Sequence, residues 1–187
     1  MKNGRAAGLD ELLCEHIKFS HPIVVSILSK LFNLFIKTSH IPASFGASYT
    51  VPIPQCNVQT RCLSVDDFRE ISISPVISKL FEMAVLDRYS DYFTTSDHQF
   101  GFKKHLSCTA AIFSVRNVIE KFVSCGSTIN VCALDLSKAF DRMNHYALLL
   151  KLMDRRLPNQ LLTIFELWFS ISVTCVKWNG HVLSFLI

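Results

Sequence analysis

The sequence predicts a mixed α/β or α+β fold, and three observations lead to this prediction. Apolar residues at helical spacing fill much of the first fifty residues and return after Pro75 and after Ser107. Short stretches that are β-branched, as at 49–55, or almost wholly apolar, as at 129–134, lie between these helical patterns. An Asn179-Gly180 pair separates two further apolar runs, which is a strong signal for a β-hairpin. Helices and strands mixed in this way favour an α+β domain.

Six helices are predicted from apolar periodicity and from residues that start or stop a helix. Asp10 is suited to cap the first helix, because its carboxylate accepts hydrogen bonds from free N–H groups of the first turn. Pro22 and Pro75 suit helix starts, where a missing N–H costs nothing. Gly126 is placed to end the fourth helix. The predicted helices span 10–18, 22–37, 75–93, 107–122, 144–153 and 158–169.

Strands are predicted in three places besides the hairpin. Tyr49–Gln55 is β-branched but holds two prolines, each of which removes a ladder donor, so an edge strand is expected. Phe68–Ser74 alternates roughly with period two and predicts its partner strand. Ile129–Leu134 is almost wholly apolar and predicts a central buried strand. The hairpin strands are expected at 173–178 and 182–187.

Composition excludes several broad classes of protein. The chain has 187 residues, 50% apolar and 18% charged, which argues against intrinsic disorder. Its net charge of +4 permits a nucleic-acid partner without requiring one. The seven scattered cysteines include no Cys-x-x-Cys pair, so free buried thiols in a reducing compartment are expected and a zinc site is not.

The sequence shows no pattern typical of a membrane span or a signal peptide. The longest apolar run, 23–36, is shorter than the ~20 residues that a membrane span needs. The charged residues near the start are not followed by the apolar segment of a signal peptide. We therefore expect an intracellular protein, nuclear or cytoplasmic and not secreted, without a membrane partner.

The sharpest chemical feature is Asp135, which directly follows the apolar run 129–134. A carboxylate held at the end of a buried strand suits Mg²⁺, a hard ion that prefers oxygen ligands. The alternative is that Asp135 only caps the turn after the strand. Phosphotransferases of the haloacid-dehalogenase type also place an Asp after an apolar strand, but with a second Asp two residues on. Here that position is Ser137, which counts against an aspartyl-phosphate nucleophile.

The stretch Leu134-Asp-Leu-Ser-Lys-Ala-Phe-Asp-Arg-Met-Asn-His145 resembles motif A of the reverse transcriptases of non-LTR (LINE-like, jockey-type) retrotransposons. Five further blocks resemble other segments of this family. They occur in the family's order and at similar spacing, so the resemblance covers nearly the whole chain. The five blocks are 7–11, 51–54, 67–82, 99–107 and 176–180.

The resemblance implies a right-hand polymerase, with the fingers and the fingers–palm connection over about 1–125 and a partial palm containing motif A over about 126–187. It implies an RNA-directed DNA polymerase, a nucleotidyltransferase encoded by a transposable element. The partners would be an RNA template, a DNA primer and deoxynucleoside triphosphates, and the cofactor would be a pair of Mg²⁺ ions.

The resemblance also implies roles for individual residues of motif A. Asp135 matches the catalytic carboxylate that binds metal, and the carbonyl of Leu136 would be a further metal ligand. Phe140 matches the aromatic residue that packs under the incoming sugar and rejects a 2′-hydroxyl. The alternative for Phe140 is a place in the core. Asp141 matches a family position that is not a metal ligand.

Three basic residues match positions expected to meet phosphate. Arg69 matches a fingers arginine that holds the incoming triphosphate, since a guanidinium can bind phosphate oxygens bidentately. Lys103 and Lys104 would contact the template or primer backbone, a contact that does not depend on sequence. The alternatives are a surface arginine and a solvated basic turn.

The chain also departs from the family pattern. Glu70 stands where Pro is usual, which predicts an unhelpful negative charge beside a triphosphate site, and Gln55 stands where Lys is usual. Neither the Gln-Gly loop of motif B nor the Asp-Asp pair of motif C follows motif A. We therefore expect a fragment that lacks its carboxyl-terminal palm and thumb and is inactive alone. The alternative is a non-enzymatic nucleic-acid-binding remnant or a relic without function.

Overall fold

The computed structural model describes residues 1–55, 63–103, 105–136, 139–140 and 142–186. The chain divides into two compact units. The first, here called the sheet unit, comprises Met1–Tyr92 and His145–Ile187. The second, here called the inserted unit, comprises Phe93–Asn144. The structure is a mixed α and β fold, as predicted.

One four-stranded sheet lies in the sheet unit, with strand order β2-β1-β3-β4. Strand β1 pairs antiparallel with β2 and parallel with β3, and β3 pairs antiparallel with β4. The predicted partner strand and the hairpin are confirmed, with Asn179 and Gly180 both at positive φ as a tight hairpin turn requires. The strands are β1 (Ala47–Pro54), β2 (Phe68–Ile73), β3 (Val173–Trp178) and β4 (His181–Leu186).

The predicted edge position of β1 is wrong, because β1 is an interior strand. Its parallel pairing with β3 covers Ala47 to Thr50, before the first proline is reached. Pro52 and Pro54 lie in the half of the strand whose recorded partner is β2 alone. The prolines therefore shorten one ladder and do not push the strand to the edge.

Six α-helices occur in the described residues, and all six were expected. The first is shorter than predicted: it begins after Leu13, while Asp10 accepts the Leu12 N–H at 3.2 Å in a local turn and does not cap the helix. The third ends at Arg88, followed by a 3₁₀ turn at Ser90–Phe93. The helices are α1 (Cys14–Lys18), α2 (Ile23–Thr38), α3 (Val76–Arg88), α4 (Cys108–Ser124), α5 (His145–Asp154) and α6 (Asn159–Ser170).

An aromatic cluster forms the core of the sheet unit. Phe81 of α3 is fully buried and contacts Phe32, Phe35, Phe45 and Trp168. Its ring lies 5.2 Å from that of Phe32 and 5.9 Å from that of Trp168, centroid to centroid. These distances lie within the range at which aromatic pairs stabilise a core beyond the area they bury. The cluster joins α2, α3 and α6.

Helix α4 is the principal regular element of the inserted unit. The Ser107 hydroxyl accepts the N–H of Ala110 at 3.3 Å, which caps the helix start. Gly126 has a φ of +77°, and the Ser127 N–H donates to the Phe122 carbonyl at 3.0 Å, which closes the end. No described residue of this unit is buried.

The predicted central strand at 129–134 is wrong. These residues form no strand, and Val131 and Leu134 are 66% and 94% exposed. A strand needs a neighbour to pair with its N–H and C=O groups. Within the described residues, segment 129–136 has no such neighbour, so its apolar composition alone does not produce a strand.

The five described cysteines are all free thiols. Cys14 and Cys175 are buried as expected, but Cys108, Cys125 and Cys132 are exposed because all three lie in the inserted unit. Cys56 and Cys62 lie outside the described residues. None of the described helices is both long and apolar enough to span a bilayer.

Candidate functional site

Asp135 and Leu136 lie in the irregular segment that follows α4. Both residues are exposed, and the side chain of Leu136 is exposed to 79%. No described strand ends at Asp135, so the rigid backbone support expected for this carboxylate is not seen. Ser137, Lys138 and Asp141 lie outside the described residues.

Phe140 is a surface residue and not a core residue. It is 72% exposed, and its ring meets the ring of Phe102 edge-to-face at a centroid distance of 6.4 Å. Phe102 is itself 94% exposed. The pair joins two of the family-like blocks, the one at 99–107 and motif A, which are far apart in sequence. The alternative that Phe140 fills the core is therefore wrong.

The ammonium group of Lys103 is engaged locally. It donates to the Ser96 carbonyl at 2.7 Å and lies 3.8 Å from the Asp97 carboxylate. The Lys103 side chain is 22% exposed, so part of its charge is already offset within the turn. Lys104 lies outside the described residues.

Arg69 lies on β2 in the sheet unit, so it belongs to a different unit from Asp135. It is exposed and stands opposite Ile53 of β1. The structure thus brings Phe102 and Phe140 together within the inserted unit, while Arg69 is positioned by the sheet.

Glu70, which was expected to bring a negative charge near the phosphate contact of Arg69, lies on the opposite face of the sheet from Arg69. Successive side chains of a strand point to opposite faces of the sheet. Glu70 lines a cavity of about 490 Å³ together with Phe68, Pro52 and Trp178, and Arg69 does not line it. The Glu70 carboxylate and the Arg69 guanidinium therefore lie on opposite faces of the sheet. The alternation of side chains along 68–70 was the sequence signal for these opposite faces. The contact between Phe68 and Trp178 has no such local signal, because it depends on the strand order.

The described residues do not fit a metal centre. Across the described ranges, no group of three or more His, Cys, Asp or Glu side chains is placed to hold an ion. Asp135 is a single carboxylate on an exposed segment, whereas a bound Mg²⁺ needs several oxygen ligands in near-octahedral geometry. The predicted pair of Mg²⁺ ions is thus not supported by the described geometry.

No protein-family model matches the chain. Curated proteins do match. The RNA-directed DNA polymerase from mobile element jockey of Drosophila funebris is 27% identical over 176 residues, which is 90% of this chain and 19% of the relative. The "Probable RNA-directed DNA polymerase from transposon X-element" of Drosophila melanogaster is 26% identical over 80% of this chain and 17% of the relative.

A third relative is the retrovirus-related Pol polyprotein from type-2 retrotransposable element R2DM of Drosophila melanogaster. It is 26% identical over 68% of this chain and 12% of its own length. The chain is similar to the polymerases of non-LTR retrotransposons. The resemblance to jockey-type reverse transcriptases, predicted from six blocks of sequence, is confirmed by these matches. The chain spans less than one fifth of the length of these three relatives.

Proposed function

We propose that this chain is part of the RNA-directed DNA polymerase of a non-LTR retrotransposon. The observation that carries the proposal is the ordered set of motif blocks, since the similarity to the jockey polymerase extends over 90% of the chain. In this proposal residues 1–125 belong to the fingers, and 126–187 begin the palm. The substrates are deoxynucleoside triphosphates, added to a DNA primer on an RNA template.

The proposed roles belong to residues that match positions of the family's motifs. Asp135 is the catalytic carboxylate, and the Leu136 carbonyl lies next to it in the chain. Phe140 presents an exposed ring, supported at its edge by Phe102, against which a sugar can pack. Arg69 reaches solvent from β2, where a phosphate can approach it. Lys103 and Lys104 contribute positive charge toward a nucleic-acid backbone.

These 187 residues supply one candidate metal carboxylate after position 130, and no Asp-Asp pair follows it in the sequence. Phosphoryl-type transfer depends on positioned charge, and a single exposed carboxylate is too little to position it. We therefore expect residues 1–187 alone not to extend a primer. Extension is expected only when further carboxylates join Asp135.

Primer extension on an RNA template tests the proposal. The protein for this test is the product of the longest reading frame that contains this chain, with or without Asp135→Asn. Asp154→Asn is the matched control, because Asp154 is an exposed acid at the end of α5. Loss of a metal carboxylate should lower the extension rate at least about 1000-fold, whereas the control should stay within about twofold. Equal rates for both variants would contradict the assignment of Asp135.

Binding distinguishes a polymerase segment from a non-enzymatic remnant. Affinity of residues 1–187 for primer–template should fall with rising salt and weaken on changing Arg69, Lys103 and Lys104 to Ala. Salt-dependent binding together with a complete lack of extension by the longer product would favour a binding module. If neither residues 1–187 nor the longer product bound primer–template, both the polymerase proposal and the binding module would be contradicted.

A further inference from the structure

A trough runs along one face of the sheet, on the opposite side from Arg69. Its floor is formed by Thr50 and Pro52 of β1. One wall comes from Phe68 and Glu70 of β2, and the other includes Trp178 of β3. The cavity that these side chains line has a volume of about 490 Å³. It lies wholly within the sheet unit, and we refer to it as the aromatic trough.

Strand register explains why the trough is open. Glu70 stands directly opposite Pro52, and Val176, two residues before Trp178, stands opposite Thr50. The walls therefore rise from strands on either side of β1, at a separation of roughly 10 Å between strand axes. The compact proline ring on the central strand leaves the space between the walls unfilled.

Two aromatic rings meet at one end of the trough. Phe68 and Trp178 contact each other at a centroid distance of 5.6 Å, with their planes inclined at 72°. Trp178 is 47% exposed, so part of its indole remains available to another group. A corner of two steeply inclined rings offers a cation more than one negatively polarised surface.

The charge of the aromatic trough is negative. Glu70 is the single charged side chain among the described residues that line it. No ion pair joins Glu70 to another side chain in the described part of the molecule. Lys177, the neighbour of Trp178, serves the other face of the sheet, where its ammonium group lies 4.9 Å from the centroid of the Tyr49 ring. The trough is thus an acidic, aromatic site in a chain of net charge +4.

We propose that the aromatic trough binds an alkylammonium group. The cation is attracted by the rings of Phe68 and Trp178 and by the carboxylate of Glu70, while its methyl or methylene groups contact the apolar walls. An alkylammonium group occurs on a free quaternary amine and on the lysine side chain of a peptide. A peptide has an additional contact available, because β2 is an edge strand of the described sheet and can pair with an extended chain.

The charge of the ligand is tested by two small molecules of the same shape. Choline and its neutral isostere 3,3-dimethylbutan-1-ol are titrated into ¹⁵N-labelled 187-residue chain, and the indole N–H signal of Trp178 is followed by NMR. We expect a saturable shift with choline and binding at least about tenfold weaker for the neutral isostere. Equal binding of the two would show an apolar pocket without cation preference and would overturn the proposal.

Variants test the two kinds of contact separately. Glu70→Gln should weaken choline binding about two- to fivefold, as expected for loss of an exposed charge pair. Trp178→Leu should weaken it about three- to thirtyfold, followed here by the Val176 amide. Glu82→Gln is the matched control, since Glu82 is an exposed acid of α3 outside the trough. Unchanged binding by Glu70→Gln would overturn the proposal even if Trp178→Leu failed to fold.

The source of the ammonium group is tested with a peptide. A short extended peptide with one trimethyllysine is compared with choline at equal concentration. At least about tenfold tighter binding, together with shifts of the β2 amides, supports an alkylammonium site that serves a peptide. Equal affinity without shifts in β2 supports an alkylammonium site for a free amine. Failure of both probes to shift the Trp178 signal contradicts an alkylammonium site of either kind.

Discussion

The sheet unit and the inserted unit differ most in burial. All the buried side chains among the described residues belong to the sheet unit, where Phe81 is completely buried within an aromatic cluster. In the inserted unit, Phe113 and Phe122 of α4 are 63% and 51% exposed although the helix carries an apolar face. Similar apolar content therefore gives a packed core in one unit and an uncovered helix face in the other.

This difference places the buried core and the proposed catalytic residues in different units. Motif A, with Asp135 and Phe140, lies in the unit that has no buried residue among those described. The aromatic cluster that holds α2, α3 and α6 together lies in the other unit. The described residues around motif A thus form no core of their own, and we expect the geometry of motif A to depend on further contacts.

The largest expected effect comes from removing the centre of the cluster. Phe81→Ala should lower the free energy of unfolding by about 3–5 kcal/mol, because a fully buried ring is replaced by a cavity. Urea unfolding followed by Trp168 fluorescence measures this, since Trp168 stacks on Phe81 at an interplanar angle of 26°. Phe113→Ala is the matched control and should cost less than about 1 kcal/mol, because its ring is already exposed. Similar losses for both would contradict the difference in burial between these two rings.

A backbone contact in the sheet unit gives the next largest effect. A Cβ at Gly46 would lie 2.7 Å from the carbonyl carbon of Ile171, next to the Val173 N–H that donates to the Gly46 carbonyl at 3.0 Å. Gly46→Ala should therefore destabilise the unit by about 1–3 kcal/mol in the same urea assay.

Gly101 of the inserted unit provides the comparison. A Cβ there meets nothing within 4 Å, so Gly101→Ala should leave the unfolding transition unchanged within about 0.5 kcal/mol. If Gly46→Ala were equally silent, the close approach between β1 and the segment after α6 would not be present in solution.

Most features encoded over a few neighbouring residues were predictable from the sequence, although the helix cap expected from Asp10 does not form. The proline before α2, Gly126 at the end of α4 and the Asn179-Gly180 turn each act on atoms close by in the chain. Their helices and hairpin appeared within a few residues of the expected limits. A short apolar run does not have this property, because a strand forms only where another strand offers hydrogen bonds. Ile129–Leu134 is such a run, and no described strand pairs with it.

Residues of the candidate site could be named from the sequence, but their geometry could not be predicted from it. Motif A could be matched to a family from its residues alone, yet the contact between Phe102 and Phe140 joins positions that no local pattern links. The aromatic trough could not be predicted from the sequence either. Phe68 and Trp178 meet across β1 only because the strand order places β2 and β3 on either side of it. Strand alternation around Glu70 was the available signal.

A hydroxyl network across three strands predicts a smaller effect. Thr50 is 7% exposed, and its hydroxyl lies 2.8 Å from that of Ser72 and 3.0 Å from that of Thr174. Thr50→Val should cost about 1–2 kcal/mol, because both partners lose a hydrogen bond next to a buried apolar group. Thr109→Val on exposed α4 is the control and should be nearly neutral. An unchanged free energy of unfolding in Thr50→Val would mean that water takes over the hydrogen bonds of the Thr50 hydroxyl. This part of the sheet would then be as solvated as the inserted unit.

The smallest expected effect concerns the amino-terminal segment of the sheet unit, outside its core. The Gly4 N–H donates to Oε1 of Glu15 at 2.5 Å, and this bond is the main cause that lowers the pKa of Glu15 below its ordinary value of 4.5. A lowered pKa in the folded state means that the bond stabilises the segment above pH 4.5 and is lost as the pH falls through the folded pKa.

The amide shift of Gly4 followed by NMR from pH 7 downward measures this local event. Its midpoint should lie below 4.5, and in Glu15→Gln the shift should no longer move with pH in that range. The unfolding transition should change little in this variant, because Glu15 is only half-buried and the Gln side chain keeps an oxygen that can accept the Gly4 N–H. A midpoint at or above 4.5 would mean that Gly4 is free in solution. The first residues would then resemble the inserted unit in lacking contacts that hold them.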